Sequence, residues 1–425
     1  MNSVETKTAM LLAFLVTLAL AVPSLKQSVP LALPIQQVLM IVVLVMTLVH
    51  GHFLIRLNGR LRWFALACAT LLSLNLVVFT VAIMRAGMWE DIVKQDFVLG
   101  LFSLLLLISL SGLMNYVANV IKRYIVYLMA IGCAVSLLGI YKLYLFSQGV
   151  MLDWVGDAAG NQYPWGTSLV SDYNFYSSTA LIGMLAAMWL ALNDVTKLRR
   201  AFGWGVVLVC LAAGFFAGSR RFWVLAPLAS LSVALISKRM ARGAAHSGRA
   251  IILLSIFVVA VFCLVFFALN DETGVFGADI FHRLESLNDQ SSFSDRTDRW
   301  QFALDYLDGG ILLLGDGFKY LYVYSQRFTG GEVLDYPHNP ILSAAMYGGV
   351  IGFVFASLFY LFAMIVAIKL ILHGQSENRL LGVMIIAQFF FVIISANSLF
   401  SISSFSCVVV IGSVAADLSR NPLYL

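Results

Sequence analysis

Charged residues are scarce in this chain of 425 residues: they make up 12% of it, whereas hydrophobic residues make up 61%. An ordinary soluble domain has about 25% charged residues. The shortage excludes that class. Apolar runs of roughly 18 residues or more, long enough to cross the hydrocarbon core of a bilayer, recur along the whole length. The composition therefore predicts an all-α polytopic membrane protein, because a helix satisfies its own backbone hydrogen bonds in lipid.

Cysteine is also rare, and it is not arranged for chemistry. The sequence lacks a P-loop, a dinucleotide-binding glycine fingerprint, an HExxH motif and an Asp-x-Asp pair. We therefore expect no metal and no cofactor, and the energy for any reaction has to arrive with the substrate. The five cysteines lie in apolar runs without disulfide or metal-ligand spacing: Cys68, Cys133, Cys210, Cys263 and Cys407.

Twelve apolar windows predict about twelve membrane spans with both termini in the cytoplasm. Lys and Arg concentrate in the even-numbered connections and the tails, which the positive-inside rule places on the cytoplasmic side. We expect a single transmembrane domain over residues 1–425, with a loop subdomain at 270–340 inserted on the outer side between spans nine and ten. The predicted spans are 8–25, 30–50, 63–84, 98–119, 124–146, 173–193, 204–218, 222–237, 250–269, 341–368, 380–396 and 399–418.

The outer segment contains a predicted surface helix in "SFSDRTDRWQFALDYLDGG". Ser292 and Asp295 fit a capping box at its start. Gly309 and Gly310 can end it. An apolar stripe follows helical spacing: Trp300, Ala303, Leu304 and Leu307.

Two arginines lie on or beside this stripe. Arg296 shares it, and Arg299 lies one step around the helix. A cation on an apolar stripe is costly unless it meets an anion, and arginine suits bidentate phosphate contact. We expect Arg296 to bind an anion. For Arg299, pairing with Asp295, Asp298 or lipid headgroups is an equal alternative.

A second cationic point is "AGSRRFW", between the seventh and eighth spans. The connection is too short for a loop domain, so Arg220 and Arg221 are held at the outer boundary, where charged residues indicate a functional site. Snorkelling to headgroups is the alternative for one of the two. The tight turn at "GSR" favours Arg220 as the better-fixed side chain.

A histidine precedes the tenth span in "DYPHNPILSAAMYGGVIG". Pro340 suits the first helical position and Asn339 suits the cap. His338 then lies at a helix N-terminus, which disfavours the charged imidazolium and keeps the ring neutral and basic. A neutral imidazole can act as a general base. An interfacial histidine bonded to a loop carbonyl is the alternative reading.

Together these pieces resemble the bacterial O-antigen ligase family, within the O-antigen ligase and polymerase superfamily. The matching motifs are "GSRRFW", the Arg-x-x-x-Trp of "DRTDRWQFALDYL", "LLGDGF" and "HNPILSAAMYGGVIG", and their order matches as well. One departure is Asp316, an acid between Gly315 and Gly317. A GT-C type membrane glycosyltransferase is the fold that this resemblance implies.

The resemblance implies a metal-independent, inverting transfer at the periplasmic face of the bacterial inner membrane. The donor is an O-antigen polysaccharide linked to undecaprenyl pyrophosphate, the acceptor is a sugar of lipid A–core, and the product is complete lipopolysaccharide. The expected partners are these substrates and membrane lipids, with no nucleic acid. The family's catalytic residues carry over to Arg220, Arg296 and His338. As substrate-binding residues we predict Arg221, Arg299, Trp300 and Asn339.

Two sibling enzymes and one different class remain as alternatives. An O-antigen polymerase and a protein O-oligosaccharyltransferase use the same donor, and the motifs do not separate them cleanly. A transporter of the lipid-linked glycan is the third, but transporters usually place ionisable groups near the membrane midplane. The spans here are almost free of such groups, with Lys142 the main exception. The sequence therefore favours an enzyme.

Overall fold

The structure is a computed structural model that describes residues 3–21, 32–49, 63–86, 90–113, 120–148, 150, 167, 169, 173–194, 196–237, 291–308, 313–332, 334–400 and 403–419. Within these segments the chain is helical and has no strand. The helices are α1 (Ser3–Ala21), α2 (Ala32–Val49), α3 (Trp63–Ala86), α4 (Asp91–Leu113), α5 (Val120–Ser147), α6 (Tyr173–Asn193), α7 (Lys197–Phe216), α8 (Arg220–Ile236), α9 (Ser291–Asp308), α10 (Tyr320–Phe328), α11 (Pro340–His373), α12 (Ser376–Val392) and α13 (Ser403–Ser419), with a 3-10 turn at Gly317–Lys319.

Six of the described helices are long and apolar enough to cross a membrane: α3, α4, α5, α6, α7 and α11. Shorter apolar stretches lie in α1, α2 and α13, and α8 and α12 occupy the predicted spans 222–237 and 380–396. The predicted ninth span, 250–269, lies outside the described residues. A helical, multi-pass architecture is thus supported. The count of twelve, the sidedness and the 270–340 subdomain stay predictions.

The start of α4 differs from the prediction. The helix begins at Asp91, whereas the apolar window begins near residue 98. Polar residues in the first turns, including Asp96, kept these turns out of the predicted apolar window. Asp96 is nevertheless only 1% exposed, and its carboxylate accepts a hydrogen bond of 2.8 Å from the hydroxyl of Ser398. This bond stabilises a polar group inside the helix and ties α4 to the segment that follows α12.

The helix α6 lies at the centre of the bundle. Nearly all of its length is buried, and glycine allows α5 to approach it closely. A Cβ added at Gly132 of α5 would lie 2.4 Å from the Cα of Gly183 of α6. Such contacts between small residues are a common way of packing helices in membranes. The first turn of α6 also reaches α8, because Asn174 accepts a hydrogen bond of 3.0 Å from the hydroxyl of Ser219.

The helix α11 is kinked where two of the recognised motifs meet. Gly349 interrupts it with φ 62° and ψ −153°. Gly315 of "LLGDGF" packs there with φ 67°, and a Cβ added to it would lie 2.6 Å from the backbone nitrogen of Gly349. The N–H of Asp316 donates to the carbonyl of Met346 at 2.8 Å. Both glycines are required because positive φ and backbone contact leave no room for a side chain.

The helices α9 and α10 pack through aromatic rings. The ring of Phe302 lies 5.1 Å from that of Tyr324, and α9 thereby docks on α10. The predicted stripe is only partly correct: Ala303 and Leu307 are buried, whereas Leu304 is 51% exposed. Arg299 occupies the buried face instead. The cause is that α9 packs against the aromatic residues of α10, which rotates its buried face away from Leu304.

Two features noted in the sequence bear on α9. The side chains of the predicted capping box, Ser292 and Asp295, lie outside the described part of the structure. The departure from the family pattern has a structural role, since the carboxylate of Asp316 accepts a hydrogen bond of 2.8 Å from the hydroxyl of Tyr306. Burial, followed by this carboxylate, raises the pKa of Tyr306 to about 12. Asp316 thus fastens α9 to the turn before α10.

Candidate functional site

The end of α12 and the turn after it, residues 391–398, form the centre of the candidate site. We call this segment the α12 turn. Arg221 of α8 donates from Nη1 to the carbonyl of Phe391 and from Nη2 to the carbonyl of Ile394, both at 3.0 Å. Arg296 of α9 donates to the same carbonyl of Ile394. The last carbonyls of a helix lack intrahelical partners and carry partial negative charge, so they are natural acceptors for guanidinium groups.

Two positively charged side chains therefore meet at one carbonyl oxygen. Arg221 and Arg296 are each half-buried. Two cations this close repel one another, and an anion bound beside them would lower the energy of both. Guanidinium groups also match the geometry of phosphate oxygens. The arrangement is suited to holding a phosphate-bearing group at this end of the bundle.

Arg220 lies at the first position of α8, next to this pair. The preceding residue, Ser219, has the extended backbone of an N-cap and is tied to Asn174 of α6. This anchor fixes the start of α8 at the same end of the bundle as the α12 turn. The sequence favoured Arg220 as the better-fixed arginine, and its neighbour Arg221 donates two hydrogen bonds to the α12 turn.

Arg299 forms a buried ion pair with a residue far along the chain. Its Nε and Nη2 lie 3.1 and 2.9 Å from Oδ2 of Asp335. Its guanidinium also lies 4.6 Å from the centre of the Phe328 ring. The hydroxyl of Tyr324 donates to its backbone carbonyl at 2.7 Å. The sequence offered pairing with Asp295, Asp298 or lipid headgroups as the alternative for Arg299, and Asp335 was not among these partners.

His338 lies immediately before α11, in a left-handed backbone conformation with φ 55°. The predicted helix start is confirmed: Pro340 is the first helical residue, and Oδ1 of Asn339 accepts hydrogen bonds from the N–H groups of Ile341 and Leu342. A positive φ is uncommon outside glycine, although histidine adopts it more readily than most residues, and several contacts hold the segment in place.

Two of these contacts come from aromatic side chains. The indole N–H of Trp300 donates to the carbonyl of Pro337 at 2.9 Å. The ring of Tyr336 lies 4.4 Å from the imidazole. Trp300 and Asn339, predicted to bind substrate, are thus both engaged in holding the segment that carries His338.

The electrostatic environment keeps the imidazole neutral. The pKa of His338 is lowered from 6.5 to about 4: burial is the largest cause, Asp335 opposes it, Arg296 and Arg299 add to the lowering, and the backbone of Ser395 opposes it. The sequence predicted a neutral ring from the helix N-terminus, but burial is the larger cause. Ser395 belongs to the α12 turn, so His338 meets Arg221 and Arg296 at one segment.

Sequence reasoning missed the α12 turn and Asp335. The predicted spans 380–396 and 399–418 left almost no connection there, although "SANS" is a polar run between apolar ones. The structure buries this run: Asn397 accepts a hydrogen bond of 2.8 Å from Tyr320, and Ser398 donates to Asp96. Within the described residues, no group of three or more His, Cys, Asp and Glu side chains is placed to hold a metal ion.

The comparisons with known proteins address the segment that carries these residues. Residues 205–357 match the family model described as Wzy_C: O-Antigen ligase, and the matched range includes every predicted site residue but not the α12 turn. No curated protein matches the chain. The match confirms the resemblance drawn from the motifs: over residues 205–357 the chain is similar to the O-antigen ligase family.

Proposed function

We propose that the protein is an O-antigen ligase of the bacterial inner membrane. It transfers O-antigen polysaccharide from undecaprenyl pyrophosphate to a sugar of lipid A–core at the periplasmic face, without a metal, and it inverts the anomeric centre. The family match supports a glycosyltransferase-like ligase in a membrane. The identity of both substrates, the sidedness and the residue roles are part of the proposal.

The observation that carries the proposal is the convergence on the α12 turn. Arg221, Arg296 and His338 come from three segments that are distant in the sequence, and all three contact residues 391–395. A pyrophosphate leaving group and an acceptor hydroxyl require two kinds of side chain side by side: fixed cations and a neutral base. This end of the bundle supplies both.

The proposed reaction is a direct displacement. The oxygen of the acceptor hydroxyl attacks the anomeric carbon of the donor, and its proton passes to the neutral imidazole of His338. The bond between that carbon and the pyrophosphate oxygen breaks, and its electron pair leaves with undecaprenyl pyrophosphate. Arg220, Arg221 and Arg296 stabilise the negative charge that grows on this leaving group.

The remaining predicted residues support this arrangement in our proposal. Arg299 is held by Asp335 and adds positive charge beside the imidazole. Trp300 fixes the carbonyl of Pro337, and Asn339 caps α11. All three therefore place His338 against the bound substrates.

Reconstitution in liposomes with the undecaprenyl-pyrophosphate glycan tests the proposal. One reaction contains lipid A–core and a second contains only further donor. Transfer to lipid A–core is expected. Chain growth on the donor without transfer to core would instead identify a polymerase. Arg220→Lys should slow transfer because a point charge cannot copy the guanidinium fork. Arg327→Lys, an exposed change on α10, is the matched control.

A further inference from the structure

A buried carboxylate connects the surface helix α9 to the histidine. Asp335 has a side chain that is 8% exposed, and its two oxygens face different partners. Oδ2 accepts both hydrogen bonds from Arg299. Oδ1 accepts a hydrogen bond of 2.8 Å from the backbone N–H of Tyr336 and lies 3.6 Å from Nε2 of His338.

This division places the carboxylate between the guanidinium of Arg299 and the imidazole of His338. A buried carboxylate is costly unless it is paired, and Arg299 supplies the opposite charge. The bonds from Nε and Nη2 of Arg299 go to Oδ2, and the other oxygen, Oδ1, faces the ring. The bond from the N–H of Tyr336 fixes the direction of Oδ1.

The distance from Oδ1 to Nε2 determines when the two groups attract each other. At 3.6 Å, it is too long for an N–H···O hydrogen bond with the neutral ring but within the range of an ion pair. The attraction therefore becomes large only when the ring gains a proton. An interaction that strengthens as charge develops accelerates a reaction, whereas one present throughout does not.

The other groups around His338 give this carboxylate its importance. Arg296 and Arg299 of α9 oppose a charged imidazole, as does burial, and Arg221 of α8 is bound to the carbonyls just before Ser395. The backbone of Ser395 and the carboxylate of Asp335 favour the charged ring. Without Asp335, the proton of the acceptor hydroxyl would arrive on a ring surrounded by cations.

We propose that Asp335 is a positioning residue that acts through His338, by stabilising the imidazolium formed when the acceptor hydroxyl gives up its proton. The inference rests on the proposed function, in which His338 is the base. The proton moves from the hydroxyl to the imidazole and stays there during the displacement. Asp335 keeps its negative charge and takes no proton. The electron pair of the broken bond leaves with the pyrophosphate, as before.

The first test is Asp335→Asn in the reconstituted full-length protein. An opposite charge at this separation changes the proton affinity of a neighbour by about 10- to 1,000-fold, so we expect kcat to fall at least about 10-fold while the KM for the donor stays unchanged. The midpoint of the acid limb of kcat should move to lower pH. An unchanged midpoint would overturn the proposal. Glu332→Gln, an exposed acid of the same loop, is the matched control.

A double variant separates this role from a purely structural one. Asp335→Asn alone leaves Arg299 buried beside an amide and can impair folding, so Asp335→Asn/Arg299→Gln, which has no unpaired charge, is compared with the wild type. Asp335 acts on the pKa of His338 more strongly than Arg299 does, so we expect the midpoint of the acid limb of kcat to lie at lower pH in the double variant. A midpoint equal to that of the wild type would show that Asp335 serves only to pair Arg299.

The variant His338→Gln distinguishes a failure of the proposed function from a failure of the role of Asp335. If His338→Gln keeps the wild-type rate, the proposed function fails, and the role of Asp335 fails with it. If His338→Gln abolishes transfer while the acid-limb midpoint of Asp335→Asn/Arg299→Gln equals that of the wild type, the role of Asp335 alone is wrong.

Discussion

Replacing Arg221 with lysine keeps the charge at the α12 turn and removes its geometry. The guanidinium bonds two carbonyls at once, those of Phe391 and Ile394, each at 3.0 Å. A single ammonium group cannot copy this fork. A hydrogen bond that involves a charged group contributes about 1.5–3 kcal/mol. Losing one of the two therefore corresponds to about a 10- to 100-fold effect on a rate that depends on the turn.

The assay for Arg221→Lys measures kcat/KM for the donor in liposomes, together with the thermal midpoint in detergent. We expect kcat/KM to fall by about 10- to 100-fold and the midpoint to fall as well, since α8 is held less firmly to α12. Arg327→Lys should leave both values unchanged, because Arg327 is exposed on α10. A wild-type kcat/KM in Arg221→Lys would refute the view that the fork positions the site.

Three further predictions concern the segments around His338. Trp300→Phe keeps an aromatic ring but removes the hydrogen bond to the carbonyl of Pro337, so kcat should fall by about 2- to 10-fold. An unchanged kcat would show that this bond does not position the histidine. Gly349→Ala forces a Cβ to within 2.4 Å of the Leu313 backbone and should lower the thermal midpoint clearly, whereas Gly205→Ala, with open space around it, should not. Equal midpoints would contradict the packing argument. Because burial lowers the pKa of His338 from 6.5 to about 4, the ring is neutral at pH 6–8, and the transfer rate should show no inflection near pH 6.5; a midpoint there would contradict the buried environment.

The same pKa shift has a consequence for stability. The folded protein binds a proton at His338 more weakly than the unfolded chain does. The stabilisation from keeping the ring neutral is therefore fully present above pH 6.5 and is lost as the pH falls toward 4. In His338→Gln, the thermal midpoint should depend less on pH over this interval, and an unchanged dependence would contradict the assignment.

Local signals in the sequence were reliable where a residue's neighbours along the chain determine its structure. Asn339 and Pro340 begin α11 as predicted, because capping and a fixed φ are properties of the residues themselves. The predicted sidedness placed Arg220, Arg296 and His338 on one side of the membrane; in the structure Arg296 and His338 meet Arg221 at the α12 turn. The helical character followed from the long apolar runs.

Long-range partners were not predictable in the same way. The acceptors for Arg221 and Arg296 are backbone carbonyls at the end of α12, and every residue carries such a carbonyl. The pairing of Arg299 with Asp335 depends on how α9 packs against α10, which also leaves Leu304 exposed. Hydropathy likewise did not predict the first turns of α4, because they contain polar residues. Asp96 is buried there and accepts a hydrogen bond from Ser398.

The most direct measurement is transfer of the glycan from undecaprenyl pyrophosphate to lipid A–core by purified protein in liposomes, comparing wild type with His338→Gln. His373→Gln is the matched control, since His373 is exposed at the opposite end of the same helix. The account predicts transfer by the wild type and the control, and its loss in His338→Gln with the protein still folded. Transfer at the wild-type rate by His338→Gln would contradict it.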